Sequence, residues 1–234
     1  MPPKRRRSSS EPETAVAAVE DQNTQKDFWD PFKRYYGSSR HSDITLYLGP
    51  DKVPFPGHRF ILKARCFHFC INEVHAKGGY VLYFWDHPVG ILKLMLQYIY
   101  TGDYNIDLGT TNAQAEFGSL TDPLKIHSAV SDAASTYEYG VEGLEDICLA
   151  KMKDHILTDW NARSFCQNIR TIFKDIDFDH PELHSIVIET ALEHAQELEQ
   201  DPEFLSLVDF TPWFTRPLMR KLLSEYRAPN GSLS

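Results

Sequence analysis

The chain has 234 residues, with 24 basic and 33 acidic side chains and a formal net charge of −9. Its 42% hydrophobic and 24% charged residues are typical of a soluble globular protein with one or two domains, and four cysteines are too few for a disulfide scaffold. The acidic balance argues against broad nucleic-acid binding, so we expect no direct nucleic-acid partner. No stretch reaches the roughly 18–20 apolar residues of a membrane span, and no apolar stretch follows the basic N-terminus as in a secretory signal. We therefore expect an intracellular protein, in the nucleus or the cytoplasm, with free thiols.

Residues 1–27 hold five basic and five acidic residues and no aromatic residue. Such a segment cannot bury enough apolar surface to offset the entropy of ordering, so we predict a disordered tail. A short basic run in it resembles a nuclear-import signal, with a merely solvated tail as the alternative; its members are Lys4, Arg5, Arg6 and Arg7. Ser8 and Ser9 follow this run as in the sites of basophilic kinases. Order is expected to begin at an aromatic segment, which holds Phe28, Trp29, Phe32, Tyr35 and Tyr36.

Three segments have the pattern of β-strands. Residues 43–48 alternate between apolar and polar, which predicts a half-buried strand. Residues 53–55 follow a turn, and Pro54 lacks a backbone donor, so this strand belongs at a sheet edge. Residues 81–85 form a continuous apolar run, which predicts a strand covered on both faces.

Apolar residues at three- and four-residue spacings predict the helices. They cover residues 58–72, 89–100, 126–137, 144–156, 161–173 and 181–198. The helix over 89–100 is apolar nearly all round and is therefore expected inside the domain. Asp122 and Asn161 have the side chains preferred at helix N-caps, whereas residues 105–121 predict a loop with a short strand. Strands and helices mix without strict alternation, which indicates an α+β fold.

The C-terminal part carries most of the charge. Residues 161–210 contain 3 basic and 11 acidic residues, a net charge of −8, and residues 211–234 contain 4 and 1, a net charge of +3. Between residues 204 and 214 lies an apolar patch with little helical regularity, which either packs back on the body or is a docking site. The last helix is predicted over residues 218–226. Its basic side chains could face the acidic helix, and they are Arg216, Arg220 and Lys221.

No pattern in the sequence points to catalysis or metal binding. Cys66, His68 and Cys70 with His75 suggest zinc, but a helix turns His68 away from the two cysteines, and no second cluster has finger spacing. The alternating aspartates from Asp175 to Asp179 lack the glycine of a calcium loop, so an acidic linker is the simpler interpretation. We expect no catalytic, metal-binding or cofactor-binding residue and no cofactor.

Five motifs in order resemble the BTB/POZ domain. They are Ser42-Asp-Ile-Thr-Leu46, Phe55-Pro-Gly-His-Arg-Phe-Ile-Leu62, Ala64-Arg-Cys-x-x-Phe69, Met95-Leu-Gln-Tyr-Ile-Tyr-Thr-Gly-Asp-Tyr104, and a helical set that spans Ala133 to Leu144. The fourth is especially similar to the short BTB proteins of fungi. The resemblance covers about residues 40–158. We therefore divide the chain into a tail over 1–27, a BTB/POZ domain with its aromatic segment over 28–158, and a helical extension over 159–234.

The resemblance implies a small sheet flanked by helical hairpins and a protein-interaction scaffold without catalytic activity. BTB domains form dimers, and many recruit cullin-type ubiquitin ligases. In the zinc-finger BTB proteins an aspartate and an arginine line a charged pocket near the dimer interface, and Asp43 and Arg59 match those positions. Cullin-binding members carry a hydrophobic-x-Glu element before the third strand, which Ile71 and Glu73 match, although Ile71 could also be a core residue. A nuclear corepressor-like adapter is a further alternative.

Overall fold

A computed structural model describes residues 29–66, 74–76, 79–109, 113–135, 139–158, 160–175 and 180–227. Its first element is a helical segment over residues 29–33. The strands are β1 (Ile44–Leu48), β2 (Val53–Gly57), β3 (Val74–Ala76) and β4 (Gly79–Phe84). The helices are α1 (Arg59–Arg65), α2 (Val89–Thr101), α3 (Ala113–Phe117), α4 (Pro123–Ala134), α5 (Leu144–Leu157), α6 (Ala162–Arg170), α7 (Pro181–Glu193), α8 (Ala195–Leu198), α9 (Pro202–Phe210) and α10 (Pro212–Arg227). A π-helical turn, Thr171–Asp175, continues α6.

The four strands form one mixed sheet in the order β2-β1-β4-β3. Strand β1 pairs antiparallel with β2 and parallel with β4, and β3 pairs antiparallel with β4. The predicted edge position of the proline-containing strand is confirmed, since β2 has a partner on one side only. The sequence did not predict β3.

The prediction that residues 81–85 are covered on both faces is wrong. Leu82 and Phe84 are buried, but Tyr83 is only half-buried, and Trp85 lies beyond the strand and is exposed. The second face carries a stack of aromatic rings in which Tyr83 lies between Tyr47 and Trp85, at centroid distances of 5.0 and 4.8 Å. On this face the aromatic rings stack on one another and no helix covers them among the described residues. An apolar run in this strand therefore does not mean burial on both faces.

Helix α1 is shorter than predicted. It ends at Arg65 because Cys66 adopts an extended conformation, forms a bridge with Val141, and donates from Sγ to the Tyr139 carbonyl at 2.9 Å. The remainder of the predicted helix, residues 67–72, lies outside the described residues. Phe60 and Ala64 on this helix are exposed, although their spacing matched the apolar pattern.

Helix α2 is the centre of the larger hydrophobic cluster, as its composition predicts. Its side chains are buried on nearly every side, against the sheet, α4 and the start of α5. Asp122 caps α4 by accepting from the Leu124 N–H at 2.9 Å, and Asn161 caps α6 by accepting from the Ser164 N–H at 3.0 Å. Both predicted caps are confirmed. Helix α4 ends at Ala134, earlier than its apolar stripe indicates.

Two further expectations are corrected. The described residues between 105 and 121 contain the helical turn α3 and no strand. Residues 204–214, expected to be irregular, lie in the helices α9 and α10, both of which begin with a proline at the first position. Phe204, Leu207 and Phe214 are buried in a second hydrophobic cluster formed mainly by α6, α7, α9 and α10. The patch therefore packs largely on the body, and some of its rings remain exposed.

Candidate functional site

The two residues of the predicted charged pocket are neighbours. Asp43 directly precedes β1, and β1 pairs with β2 so that Ile44 lies opposite Gly57, two residues before Arg59. The Asp43 carboxylate accepts from the backbone N–H of Arg59 at 2.8 Å. An N–H group at the start of a helix has no partner within the helix, so Asp43 satisfies one of the free donors of α1. The described contact joins the carboxylate to the backbone of Arg59.

The Arg59 side chain is held over an aromatic ring. Its guanidinium carbon lies 3.5 Å from the centroid of Tyr80 on β4, and the edge of His75 on β3 approaches the same ring at 5.0 Å. A guanidinium above a ring at this distance is attracted by about 0.5–1 kcal/mol at an exposed site. The stacking fixes the direction of Arg59 at this end of the sheet. The next residue, Phe60, is 79% exposed.

A buried histidine supports this surface from behind. The Tyr100 hydroxyl accepts from the His58 N–H at 2.9 Å and lies 3.0 Å from His58 Nδ1, while Nε2 lies 2.9 Å from the Arg40 carbonyl. Because a carbonyl only accepts, Nε2 carries the proton, and the Tyr100 hydroxyl donates to Nδ1. Burial raises the pKa of Tyr100, which keeps this hydroxyl protonated. The loop that contains Asp43 is thereby connected to α1 and α2.

The sequence does contain a signal for this network. His58 and Tyr100 both stand inside motifs that carried the family resemblance. A histidine at the start of an apolar helix with a tyrosine inside a fully apolar one suggests a hydrogen bond, because a buried polar group requires a partner.

The N-terminal aromatic segment packs on the rest of the chain. Trp29 is buried beside Gly102, where an added Cβ would lie 2.5 Å from the indole, and its ring faces the Arg65 guanidinium at 4.4 Å. The Tyr36 hydroxyl donates to the Lys93 carbonyl on α2 at 3.0 Å. Tyr35 makes an edge contact with His58 at 5.2 Å. The expected burial of these rings is confirmed for Trp29, and Phe28 lies outside the described residues.

The buried thiol of Cys148 lies in a cluster with Tyr104 and His127. Burial raises the pKa of Cys148 to about 12, although its sulfur lies 3.3 Å from the Tyr104 hydroxyl. The same hydroxyl lies 2.6 Å from His127 Nδ1, and burial, followed by Lys151 and His155, lowers the pKa of His127 to about 4. At neutral pH this cluster therefore holds a neutral thiol and a neutral imidazole beside a cavity of about 540 Å³. Within the residues that the structure describes, no group of three histidine, cysteine or acidic side chains could hold a metal ion.

Several predicted site residues lie outside the described residues. These are Ile71 and Glu73 of the cullin element, and Lys4, Arg5, Arg6, Arg7, Ser8 and Ser9 of the N-terminal segment. Their roles stay predictions. Of the described helices, none has the length and apolar character needed to cross a membrane.

Comparison with known proteins identifies the family. The family model of the BTB/POZ domain matches residues 32–156, which is more than half of the chain, and no curated protein matches. The match does not distinguish the short fungal members, so that resemblance stays a prediction, as do the domain limits at residues 27 and 158. BTB/POZ domains are non-enzymatic protein-interaction modules that commonly self-associate and bind other proteins such as cullins. The α+β fold, the sheet and the motif order agree with this match, and the chain belongs to the BTB/POZ domain family.

Proposed function

We propose that this protein is a non-catalytic scaffold that self-associates through its BTB region and recruits another protein. The observation that carries the proposal is the surface formed by Asp43, Arg59 and Phe60. It combines a large exposed ring, a guanidinium fixed over Tyr80, and a carboxylate fixed on a helix start. Aromatic and arginine side chains that are already held in place supply most of the binding energy in protein interfaces, because little conformational entropy is lost when they bind.

The test measures the mass of the full chain in solution at tens of micromolar by light scattering. We expect a dimer or a larger assembly, and we expect Phe60→Ser and Arg59→Glu to lower the association constant at least tenfold. The matched control is Trp85→Ala, because Trp85 is also an exposed aromatic residue but follows the opposite end of β4. A strict monomer, or equal effects of the three changes, would contradict the proposal.

Recruitment of a cullin is the second candidate, and one observation favours it. Glu73 directly precedes β3, which pairs with β4, the strand that the sequence predicted as the third, so Ile71 and Glu73 stand before that strand as the element does in the cullin-binding members. We expect the full chain to retain a cullin N-terminal domain in a pull-down, and Glu73→Ala to reduce the retained amount severalfold. Glu145→Ala, an exposed acidic position on α5, is the control. No retention, or retention indifferent to Glu73→Ala, removes this role.

A further inference from the structure

Helix α10 presents an apolar stripe whose side chains are substantially exposed. Four large side chains on it are between 41 and 73% exposed, and they are Met219, Leu222, Leu223 and Tyr226. Their spacing is i, i+3, i+4 and i+7, which places them on one face of a helix. The buried contacts of α10 come from Phe214 and Leu218, which lie on a different face. Apolar patches of this kind on a monomer mark sites where another molecule packs.

Two arginines border this stripe. Arg216 and Arg220 are exposed, and among the described residues neither has a carboxylate within 4 Å. They lie three residues before Met219 and three before Leu223, on the same side of the helix. Lys221 lies 3.6 Å from Glu189 of α7, and Arg220 lines the same groove between the two helices without an ion pair of its own among the described residues. The stripe therefore has a positive border in which neither arginine is held by a described carboxylate within 4 Å.

We propose that this face of α10 binds an amphipathic helix of another protein, with apolar residues at the same spacing and acidic residues along one border. Such i, i+3, i+4, i+7 contacts are the usual mode of helix recognition. The acidic residues of the partner helix are expected opposite Arg216 and Arg220, because opposite charges attract. This complementarity favours acidic partners and fixes how the partner helix is oriented on α10. This inference rests on one part of the proposed function, the recruitment of another protein, for which it names the binding surface. It does not require self-association.

Two other occupants fit the charges less well. An anionic membrane would meet a surface several helices wide, which includes the exposed Glu189 of α7 beside Lys221 of α10. In a second copy of this chain, α10 would pack antiparallel against the first α10 about a two-fold axis. Each helix then faces its partner along the same border, so the arginine borders of the two copies lie side by side. A single helix whose acidic residues lie only along the arginine border avoids both repulsions.

The test uses the full chain and a fluorescein-labelled synthetic peptide of 18 residues. The peptide has leucine at i, i+3, i+4 and i+7, glutamate along one border, and alanine and glutamine elsewhere; its control has lysine in place of each glutamate. Fluorescence anisotropy is expected to show at least tenfold tighter binding of the glutamate peptide. The double variant Arg216→Glu/Arg220→Glu should prefer the lysine peptide, and this gain of binding also shows that the variant is folded.

A matched pair of apolar variants sharpens the test. Leu223→Ser is expected to weaken binding of the glutamate peptide at least fivefold. Trp213→Ser, at a more exposed apolar position off the stripe, leaves this binding unchanged. Equal binding of the two peptides, or binding indifferent to the arginine variants, overturns the inference. Three other results assign this face to a different occupant and also overturn the inference. They are tighter binding of a peptide of residues 11–27, sedimentation with phosphatidylserine vesicles that depends on the two arginines, and an increase in mass in solution that depends on them. Light scattering of the same variants reports self-association separately.

Discussion

The BTB region, residues 32–156, and the helices α6–α10 bury their apolar residues in different ways. In the BTB region a helix that is apolar on nearly every side, α2, lies against a sheet, and tyrosine hydroxyls inside the core pair with His58 and with backbone groups. In the C-terminal helices each helix buries one face only. Ion pairs join these helices at their edges, as between Arg170 and Glu203, and the last helix leaves a stripe exposed.

The way in which each region buries its apolar residues decides where new interactions can form. A helix buried on all sides has no free face, so the BTB region can offer only its periphery, such as Phe60, to a partner. An amphipathic helix with a single buried face keeps the other one available.

The largest effect is expected at the centre of the second cluster. Phe214 is fully buried and makes edge contacts with Phe173 and Phe204 at 5.4 and 6.0 Å, so Phe214→Ala should lower the free energy of unfolding by about 3–5 kcal/mol. The adjacent Trp213 is 71% exposed, and Trp213→Ala should change the free energy of unfolding by less than about 0.5 kcal/mol. Urea denaturation followed by circular dichroism measures both. Similar losses would show that the faces of α10 are not distinct.

The second prediction concerns acid stability at the junction of the two regions. Because burial lowers the pKa of His127 to about 4, the unfolded chain binds a proton at about pH 6.5 while the folded chain does not. The free energy of unfolding should therefore fall between pH 6.5 and 4, by up to about 3 kcal/mol from this group. The measurement compares urea denaturation of the natural chain and of His127→Gln across this range. The same pH dependence in both would contradict the assignment.

The third prediction tests the buried hydroxyl of the BTB region. Tyr100→Phe leaves the N–H and Nδ1 of His58 without their partner, and the expected loss is about 1–3 kcal/mol of unfolding free energy. Tyr83→Phe is the control, since Tyr83 is half-buried and contacts its neighbours by stacking. Thermal unfolding measures the difference. If the two variants were equally stable, the network behind Asp43 and Arg59 would not be a structural support.

The smallest effect is expected at a contact that joins the two regions. Asp122 caps α4 and also accepts from the Thr171 hydroxyl at 2.7 Å. Asp122→Ala should therefore lower the free energy of unfolding by about 1–2 kcal/mol. Asp201 caps α9 entirely within the C-terminal helices. Hydrogen exchange should rise in both α4 and the π-helical turn for Asp122→Ala, and only around α9 for Asp201→Ala. Exchange confined to α4 in the first variant would show that this contact does not couple the regions.

The sequence indicated Asp43 and Arg59 because the family motifs include them. The structure joins the Asp43 carboxylate to the backbone N–H of Arg59, and their role in a pocket at a dimer interface stays a prediction. The interaction of Arg59 with Tyr80 could not be predicted, since it requires the register of β1 against β4. The exposure of Phe60 was also unpredictable, because its spacing matches the apolar positions of α1.

Features that depend on neighbouring residues follow from the amino-acid sequence. They are the caps at Asp122 and Asn161, the edge position of the proline-containing strand, and the burial of α2, which all result from local composition and periodicity. The end of α1 depends instead on tertiary packing, because Cys66 pairs with Val141, a residue far along the chain. Tertiary packing also decides which apolar residues of α9 and α10 are covered. Helical periodicity defines a face, but whether another element lies against that face depends on packing between distant parts of the chain.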